Sequence, residues 1–223
     1  MDAALMILVD GRFPAGGHAY SAGVEAAVAI GDVADVATLE RYLHGRLAPT
    51  GRVDAAFAAH TCARASDLAV IAGELDEEYS ARVMSPYLRT TSRRLGRQLL
   101  RAAARIWPSD GVDAVGATSG GPHQPIALGA VVAAAGGSPA DAAALAFHHV
   151  GAAVTSAAVR LLGLDPIELA AVQAHAGRAV DAGRQEWGAW STAAASELPA
   201  TGGTLTEILG ERHGGLDARL FVA

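Results

Sequence analysis

Apolar residues recur along most of the chain in segments of helical length, and short stretches rich in glycine, proline and polar residues separate these segments. The β-branched residues are dispersed, and no alternation of apolar and polar residues is long enough to predict a strand. Helices are therefore expected at about residues 3–10, 21–31, 35–48, 52–65, 67–83, 86–107, 125–136, 139–163, 166–195 and 204–213.

Two breaks interrupt this helical pattern. Residues 109–125, SDGVDAVGATSGGPHQP, form the longest stretch rich in glycine and proline and predict a mobile loop, although the stretch is short for an inter-domain linker. Residues 196–204, SELPATGGT, form a second break before a short helix and a tail. The prediction is one all-α domain over residues 1–223, a bundle of about ten helices in which residues 214–223 are a flexible tail.

Composition supports the helical prediction, and the N-terminal residues indicate the cellular compartment. The chain is 51% hydrophobic but only 5% aromatic, because alanine supplies much of the apolar content, and alanine favours closely packed helices. Cys62 is the single cysteine, which excludes an internal disulfide framework. The start, MDAALMILVD, lacks a basic region before its apolar run and is not typical of a signal peptide, so a cytoplasmic protein is expected.

Two kinds of partner are disfavoured by the same data. The apolar stretch from Ala142 to Val159 has helical length but contains two histidines, which favours a buried helix over a membrane span. A net charge of −6 argues against bulk attraction to nucleic acid or to anionic lipid.

The stretch RFPAGGHAYSAGVE, residues 12–25, has the composition of a phosphate-binding loop but lacks the lysine that such a loop needs. The chain contains no lysine, since all 17 basic residues are arginine. Pro14, Gly16 and Gly17 instead predict a sharp corner between two helices. Ser21 is predicted to cap the second helix, with Glu25 in its first turn.

Motifs for catalysis and metal binding are absent from the sequence. The eight histidines show no metal-ligand spacing, and His148 and His149 are neighbours whose side chains would diverge by about 100° on a helix. No G-x-S-x-G elbow occurs, and Cys62 is expected in the core. The alternative left open is a helical metal-dependent enzyme or regulator that uses His148, His149 and nearby carboxylates.

The strongest charge pattern is a run of arginines between Pro86 and Pro108. This segment has six arginines and no acidic residue, so the rest of the chain carries −12; the arginines are Arg89, Arg93, Arg94, Arg97, Arg101 and Arg105. Like charges four residues apart destabilise a helix, so an acidic group is expected to offset them. It could be ELDEE, residues 74–78, or an acidic surface of another protein; nucleic acid is a third reading, weakened by the lack of aromatic residues. Gly96, inside this helix, predicts a close approach by another segment.

Several stretches together resemble the urease accessory protein UreF family over nearly the whole chain. LMILVDGRFPAGGHAYSAGVE is similar to the family's N-terminal signature at Asp10, Pro14, Gly16, Gly17, Ser21, Gly23 and Glu25. TSRRLGRQLLR resembles its mid-chain element at Ser92, Gly96, Leu99, Leu100 and Arg101. PHQPIALGAVVAAAG and GAAVTSAAVRLLGLDPIELAAVQ resemble two apolar helices, and LTEILGERHGGLDARLFVA resembles the C-terminal helix and tail.

The resemblance implies a non-enzymatic, all-α assembly factor that forms a homodimer. In that family, the protein joins UreD (also called UreH) and the GTPase UreG to support GTP-dependent nickel insertion into apo-urease, and it modulates the GTPase step. The chain itself would bind no cofactor, because the complex handles nickel and GTP. The residues expected to bind partners are Pro14, Gly16, Gly17, His18, Ser21, Glu25, Arg93, Arg94, Arg97, Arg101, Arg219, Leu220 and Phe221.

Two mechanistic hypotheses follow from this resemblance. The arginines or the N-terminal corner would dock UreG and bias its nucleotide state, either by positioning it or by an arginine finger from Arg93, Arg94 or Arg97. The tail would become ordered on binding UreD.

Overall fold

The computed structural model of the chain describes residues 3–181, 184–217 and 219–221, apart from the side chains of residues 18 and 179. Helices dominate, and the described residues contain no strand, which confirms the all-α prediction. The α-helices are α1 (Val24–Ala29), α2 (Val36–Arg46), α3 (Arg52–Ala63), α4 (Leu68–Arg82), α5 (Pro86–Ala103), α6 (Asp110–Gly116), α7 (Gln124–Ala134), α8 (Pro139–Leu162), α9 (Pro166–Asp181), α10 (Gln185–Thr192) and α11 (Thr204–Gly214). Short 3₁₀-helices lie at Ala3–Val9, Gly17–Ala19, Ala65–Asp67 and Ala195–Glu197, and a π-helical turn at Leu47–Gly51 joins α2 to α3.

Two predicted elements differ from the structure. The predicted helix 166–195 is two helices, α9 and α10. The predicted loop 109–125 contains α6, whose N-cap Ser109 accepts a hydrogen bond from the amide of Val112 at 3.2 Å. Ser109, followed by Asp110 and Asp113 in the first turn, is a good helix start, and the high glycine content of the stretch concealed it.

The core consists of two apolar clusters that meet at Phe147 and Val180, since both side chains pack against each cluster. Helix α3 lies in the first cluster and is buried along residues 55–62. Gly129 lets α7 approach it closely, because a Cβ at that position would lie 3.1 Å from the amide nitrogen of Cys62. The close helix packing expected from the alanine-rich composition is thus present.

Cys62 and α8 are both buried, as predicted. Burial raises the pKa of the Cys62 thiol to about 12, as expected for a core cysteine. Helix α8 is long and apolar enough to cross a membrane by those criteria alone, but 61% of its most apolar stretch is buried inside the fold. It therefore matches the predicted buried helix and is weak evidence for a membrane span.

Candidate partner-binding surfaces

The N-terminal corner takes a different path from the predicted one. Helix α1 is capped by Gly23, with a φ of 87°, and not by Ser21, whose hydroxyl is buried without a hydrogen-bond partner among the described residues. The prediction that Ser21 caps the helix is wrong because Ala22 and Gly23 both adopt left-handed backbone conformations. The hydroxyl of Tyr42 in α2 donates to the carbonyl of Ala22 at 2.7 Å and holds this turn, a contact that no local sequence pattern indicates.

The other corner residues lie at or near the surface and beside α5. Gly16 has a φ of 80°, and a Cβ there would collide with the side chain of Gln98 in α5. Pro14 and Gly17 are exposed. The side chain of His18 lies outside the described residues, so its predicted role stays a prediction.

Glu25 is the centre of a buried polar cluster that joins α1 to the C-terminal residues of the chain. Its carboxylate accepts hydrogen bonds from Nε2 of His213 at 2.7 Å and from the amides of Leu220 at 2.6 Å and Phe221 at 3.1 Å. The hydroxyl of Tyr87 at the start of α5 lies 3.2 Å from Nδ1 of His213. We call this cluster the tail clamp, and its members are Glu25, Tyr87, His213, Arg219, Leu220 and Phe221.

The rest of the tail clamp holds the last described residues against the fold. Arg219 donates to the hydroxyl of Tyr87 at 3.2 Å, and the buried ring of Phe221 lies 4.4 Å from the guanidinium carbon of Arg160. Leu220, by contrast, is exposed. The described part of the tail is therefore packed in this structure, while its flexibility in solution stays a prediction.

The electrostatics of the tail clamp favour an ionised Glu25. Burial alone would raise the pKa of Glu25, but the hydrogen bonds from Leu220, His213 and Phe221 outweigh burial and lower it. The charge on Glu25 is thus coupled to the position of the tail.

Helix α5 carries the arginines and is fixed at its N-terminus by α11. Its N-cap Ser85 accepts from the amide of Leu88 at 3.0 Å, while the Ser85 amide donates to the carboxylate of Glu207 at 2.7 Å. Glu211 accepts from the Ser85 hydroxyl and from the amide of Tyr87. Two carboxylates at the positive end of the helix dipole stabilise this junction.

Arg93 is held inside the molecule by an acidic residue of α4. Its Nη1 and Nη2 atoms lie 2.9 and 2.5 Å from the two carboxylate oxygens of Asp76, a two-point pairing, and Nη1 also donates to the carbonyl of Gly121. Asp76 is the third residue of ELDEE, so the intramolecular reading of the arginine pattern is confirmed for Arg93.

The neighbouring arginines point elsewhere. Arg94, Arg101 and Arg105 are exposed and have no hydrogen-bond or ion-pair partner among the described residues, and Arg97, also exposed, donates to the carbonyl of Gly120. Arg94, Arg97 and Arg101 are three and four residues apart and so follow one side of α5, with Arg105 just beyond its end. We call these four residues the arginine face.

The close approach predicted at Gly96 occurs. A Cβ on Gly96 would collide with the carbonyl oxygen of Pro122 and lie 3.1 Å from the carbonyl carbon of His123. The segment that approaches is the loop leading into α7, whose Gly120 and Gly121 carbonyls also receive Arg97 and Arg93. This loop fixes which side of α5 is buried and which is the arginine face.

Both histidines of the alternative reading make contacts within the fold. Nε2 of His149 lies 2.8 Å from the carbonyl oxygen of Leu8, and burial lowers the pKa of His149 to about 4. Burial also lowers the pKa of His148, whose Nδ1 lies 3.4 Å from the side-chain nitrogen Nε2 of Gln173. No group of three or more potential ligands occurs among the described His, Cys, Asp and Glu residues.

The structure thus brings the predicted residues together in two places. The corner lies beside α5, whereas Glu25 joins the three tail residues in the tail clamp. Sequence reasoning missed His213, Tyr87 and Tyr42, because their partners lie 188, 126 and 20 residues away along the chain. The family resemblance had marked both Glu25 and the tail without linking them.

Comparisons with known proteins agree with the resemblance. The sequence model of the UreF family matches residues 33–177. A protein of Mycolicibacterium vanbaalenii named urease accessory protein UreF is 38% identical over 222 residues, which cover 99% of this chain and 98% of that protein. Proteins of the same name from Mycobacterium sp. strain JLS and Mycobacterium tuberculosis are 38% and 35% identical, and each alignment covers at least 98% of this chain and 97% of the relative.

Proposed function

Because the chain belongs to the UreF family, we propose that it is a urease accessory protein without catalytic activity of its own. It acts with UreD (UreH) and the GTPase UreG in GTP-dependent nickel insertion into apo-urease, and it modulates the GTPase step. The chain works as a homodimer in the cytoplasm, and nickel and GTP are handled by the complex. The observation that carries the docking part of this proposal is the arginine face.

The arginine face is suited to an acidic protein surface. Its guanidinium groups repel each other along one side of α5, and Arg94 and Arg101 lack partners among the described residues. Guanidinium groups pair with carboxylates by two parallel hydrogen bonds, so an acidic partner would relieve the repulsion and fix its orientation at the same time. The partner proposed for this surface is UreG.

The geometry favours positioning of UreG over an arginine finger from Arg93. A finger must reach into the partner's nucleotide site, but Arg93 is bonded to Asp76 and to the carbonyl of Gly121. Arg94 and Arg101 remain free to contact the partner directly. Docking on the arginine face would then change the conformation of UreG and thereby shift its nucleotide state.

The tail supplies the surface proposed for UreD, and the corner stays an alternative docking surface for UreG. Pro14, Gly17 and Leu220 are exposed, and Glu25 fixes the tail on the fold through the amides of Leu220 and Phe221. Deletion of residues 216–223 should abolish UreD binding. UreG binding to the arginine face on α5 should remain measurable. Unchanged UreD binding by the truncated chain would refute this part of the proposal.

The decisive experiment measures complex formation by light scattering after size-exclusion chromatography. The triple variant R94A/R97A/R101A is compared with wild type and with R178A. The control R178A removes an exposed arginine of α9 that is not part of the arginine face. We expect the triple variant to keep its dimer mass and to lose binding of UreG, and R178A to behave as wild type. Full UreG binding by the triple variant would exclude the arginine face as the docking surface.

A second readout separates positioning from a finger. Single variants R94A, R97A and R101A are assayed for stimulated GTP hydrolysis at UreG concentrations that saturate binding. Positioning predicts full hydrolysis at saturation, whereas a finger predicts a loss of about 10³-fold or more for one variant.

A further inference from the structure

Helices next to α5 carry a set of exposed acidic residues that the proposed function does not use. These residues lie on α4 and α6 and have no hydrogen-bond or ion-pair partner among the described residues. We call them the acidic face, and its members are Glu74, Glu77, Asp110 and Asp113. The arginine face and the acidic face thus carry four charges each, of opposite sign.

The packing of α6 on α4 holds the acidic face together. Its two members on α4 are three residues apart, as are its two members on α6, so each pair lies on one side of its helix. The start of α6 approaches the start of α4 closely, because a Cβ on Gly111 would lie 3.2 Å from Cδ1 of Leu68. The four carboxylates therefore belong to neighbouring surfaces of one helix pair.

The ion pair between Arg93 and Asp76 connects the helices that carry the two faces. Nη2 of Arg93 lies 2.5 Å from Oδ2 of Asp76 and so joins α5 to α4. Glu77 follows Asp76 and Arg94 follows Arg93, so the exposed charges on both helices are turned by about 100° from this contact. No ion pair joins the arginine face to the acidic face within the described part of the chain. Each face thus lies beside a helix of opposite charge without being neutralised by it.

We propose that, when UreG is absent, the arginine face of one copy of this chain docks on the acidic face of a second copy. A two-fold axis between the copies forms this contact twice, because each copy supplies both faces. Guanidinium groups and carboxylates pair by charge-assisted hydrogen bonds, and the contact relieves the repulsion along α5. The inference rests on the proposed docking of UreG, since it makes a second copy the competitor for the same surface.

The chemistry of the two faces makes this association weak and sensitive to salt. Exposed ion pairs contribute little each, and salt screens charges beyond about 10 Å at 0.1 M. The association therefore forms at high protein concentration and low salt, and a partner that binds the arginine face more tightly displaces it. Such a reversible cover protects the exposed arginines of the free chain from other acidic surfaces.

The first test measures mass by analytical ultracentrifugation over a range of protein concentrations, in about 0.05 M and about 1 M salt. Two variants each reverse two charges: R94E/R101E on the arginine face and E74R/E77R on the acidic face. The control D32R/E168R reverses two exposed acidic residues that belong to neither face. Circular dichroism checks that each variant is folded.

We expect the mass of wild type and of the control to rise with concentration in low salt and to return to the basic unit in high salt. Each of the two face variants should lose at least tenfold in self-association. An equimolar mixture of the two should associate again, because the unchanged arginine face of E74R/E77R meets the unchanged acidic face of R94E/R101E. A constant wild-type mass in low salt overturns the proposal, and so does self-association that either variant leaves unchanged.

The second test adds UreG to wild type in low salt. We expect UreG to dissolve the self-associated species and to form its own complex with the chain. Binding of UreG without loss of self-association overturns the competition between UreG and the second copy. Absence of UreG binding contradicts the proposed function, whereas the charge reversals still decide whether the two faces join copies of the chain.

Discussion

The tail clamp and the arginine face handle charge in opposite ways. In the tail clamp, one buried carboxylate receives three hydrogen bonds from residues that lie 188 to 196 positions away in the sequence. On the arginine face, exposed charges of one sign repeat along a single helix, and Arg94 and Arg101 have no partner among the described residues. The first arrangement stabilises this chain by itself, while the second becomes favourable when another molecule supplies the opposite charge.

Arg93 shows how little separates the two situations. It is adjacent to Arg94 on α5, yet a rotation of about 100° turns it from solvent towards Asp76. Charge in the sequence therefore does not indicate function until the orientation of the helix is known. The predictions below separate stabilising charges from charges available to a partner.

Removing the centre of the tail clamp should have the largest effect. Glu25→Ala leaves His213 and two tail amides without their acceptor, and we expect it to lower the free energy of unfolding by about 3 kcal/mol. Urea denaturation measures the change. The control is Glu40→Ala, which removes a partly exposed carboxylate 3.8 Å from Nδ1 of His175 and should cost less than about 0.5 kcal/mol. Similar losses in the two variants would show that the tail clamp does not stabilise the fold.

Substitution of Arg93 should affect stability, whereas substitution of Arg94 should affect partner binding. Arg93→Ala leaves Asp76 buried without its ion pair, and we expect a loss of about 2 kcal/mol of unfolding free energy. Arg94→Ala should change stability by less than about 0.5 kcal/mol but weaken binding of UreG. Denaturation and complex formation are measured on the same preparations. A destabilised Arg94→Ala protein would place Arg94 with the structural arginines and contradict the distinction.

The contact that orients α5 can be tested at Gly96. Gly96→Ala gains helix propensity but drives a methyl group into the carbonyl of Pro122, so we expect a net loss of about 1 to 2 kcal/mol. Gly73→Ala in α4 is the matched control, because a Cβ there meets nothing within 4 Å and should stabilise by up to about 1 kcal/mol. Thermal unfolding distinguishes the two signs. Stabilisation by both substitutions would mean that the loop before α7 does not press on α5 as the structure has it.

The smallest expected effect is the pH dependence of the tail clamp, because protonation of Glu25 leaves its side chain in place. The folded-state pKa of Glu25 lies below its ordinary value of 4.5, so the stabilisation is complete above that value and declines as pH falls through the folded pKa. The difference in stability between wild type and Glu25→Gln should therefore shrink as the buffer is made more acidic than about pH 5. A difference that stays constant throughout the acid range would show that the charge of Glu25 is not coupled to folding.

The sequence by itself determined the elements that depend on neighbouring residues. Alanine-rich periodicity predicted the all-α class and most helix positions, Gly96 predicted a close approach, and the spacing of the arginines predicted a charged stripe on α5. Local signals failed where two were in conflict: the glycines of residues 109–125 concealed the capped helix α6, and Ser21 resembled a helix cap although Ala22 and Gly23 turn the backbone away.

The tertiary structure decided which charges are satisfied. No local pattern links Glu25 to His213 or Arg93 to Asp76. Nor does a local pattern indicate that Nε and Nη1 of Arg46 are buried without an acceptor among the described residues. These pairings arise because α5, α11 and the tail are packed at fixed angles, and a hydrogen bond requires its atoms to lie within about 3 Å of each other. Residue type and spacing set what each side chain can do, whereas packing over nearly 200 residues of separation sets which partner it meets.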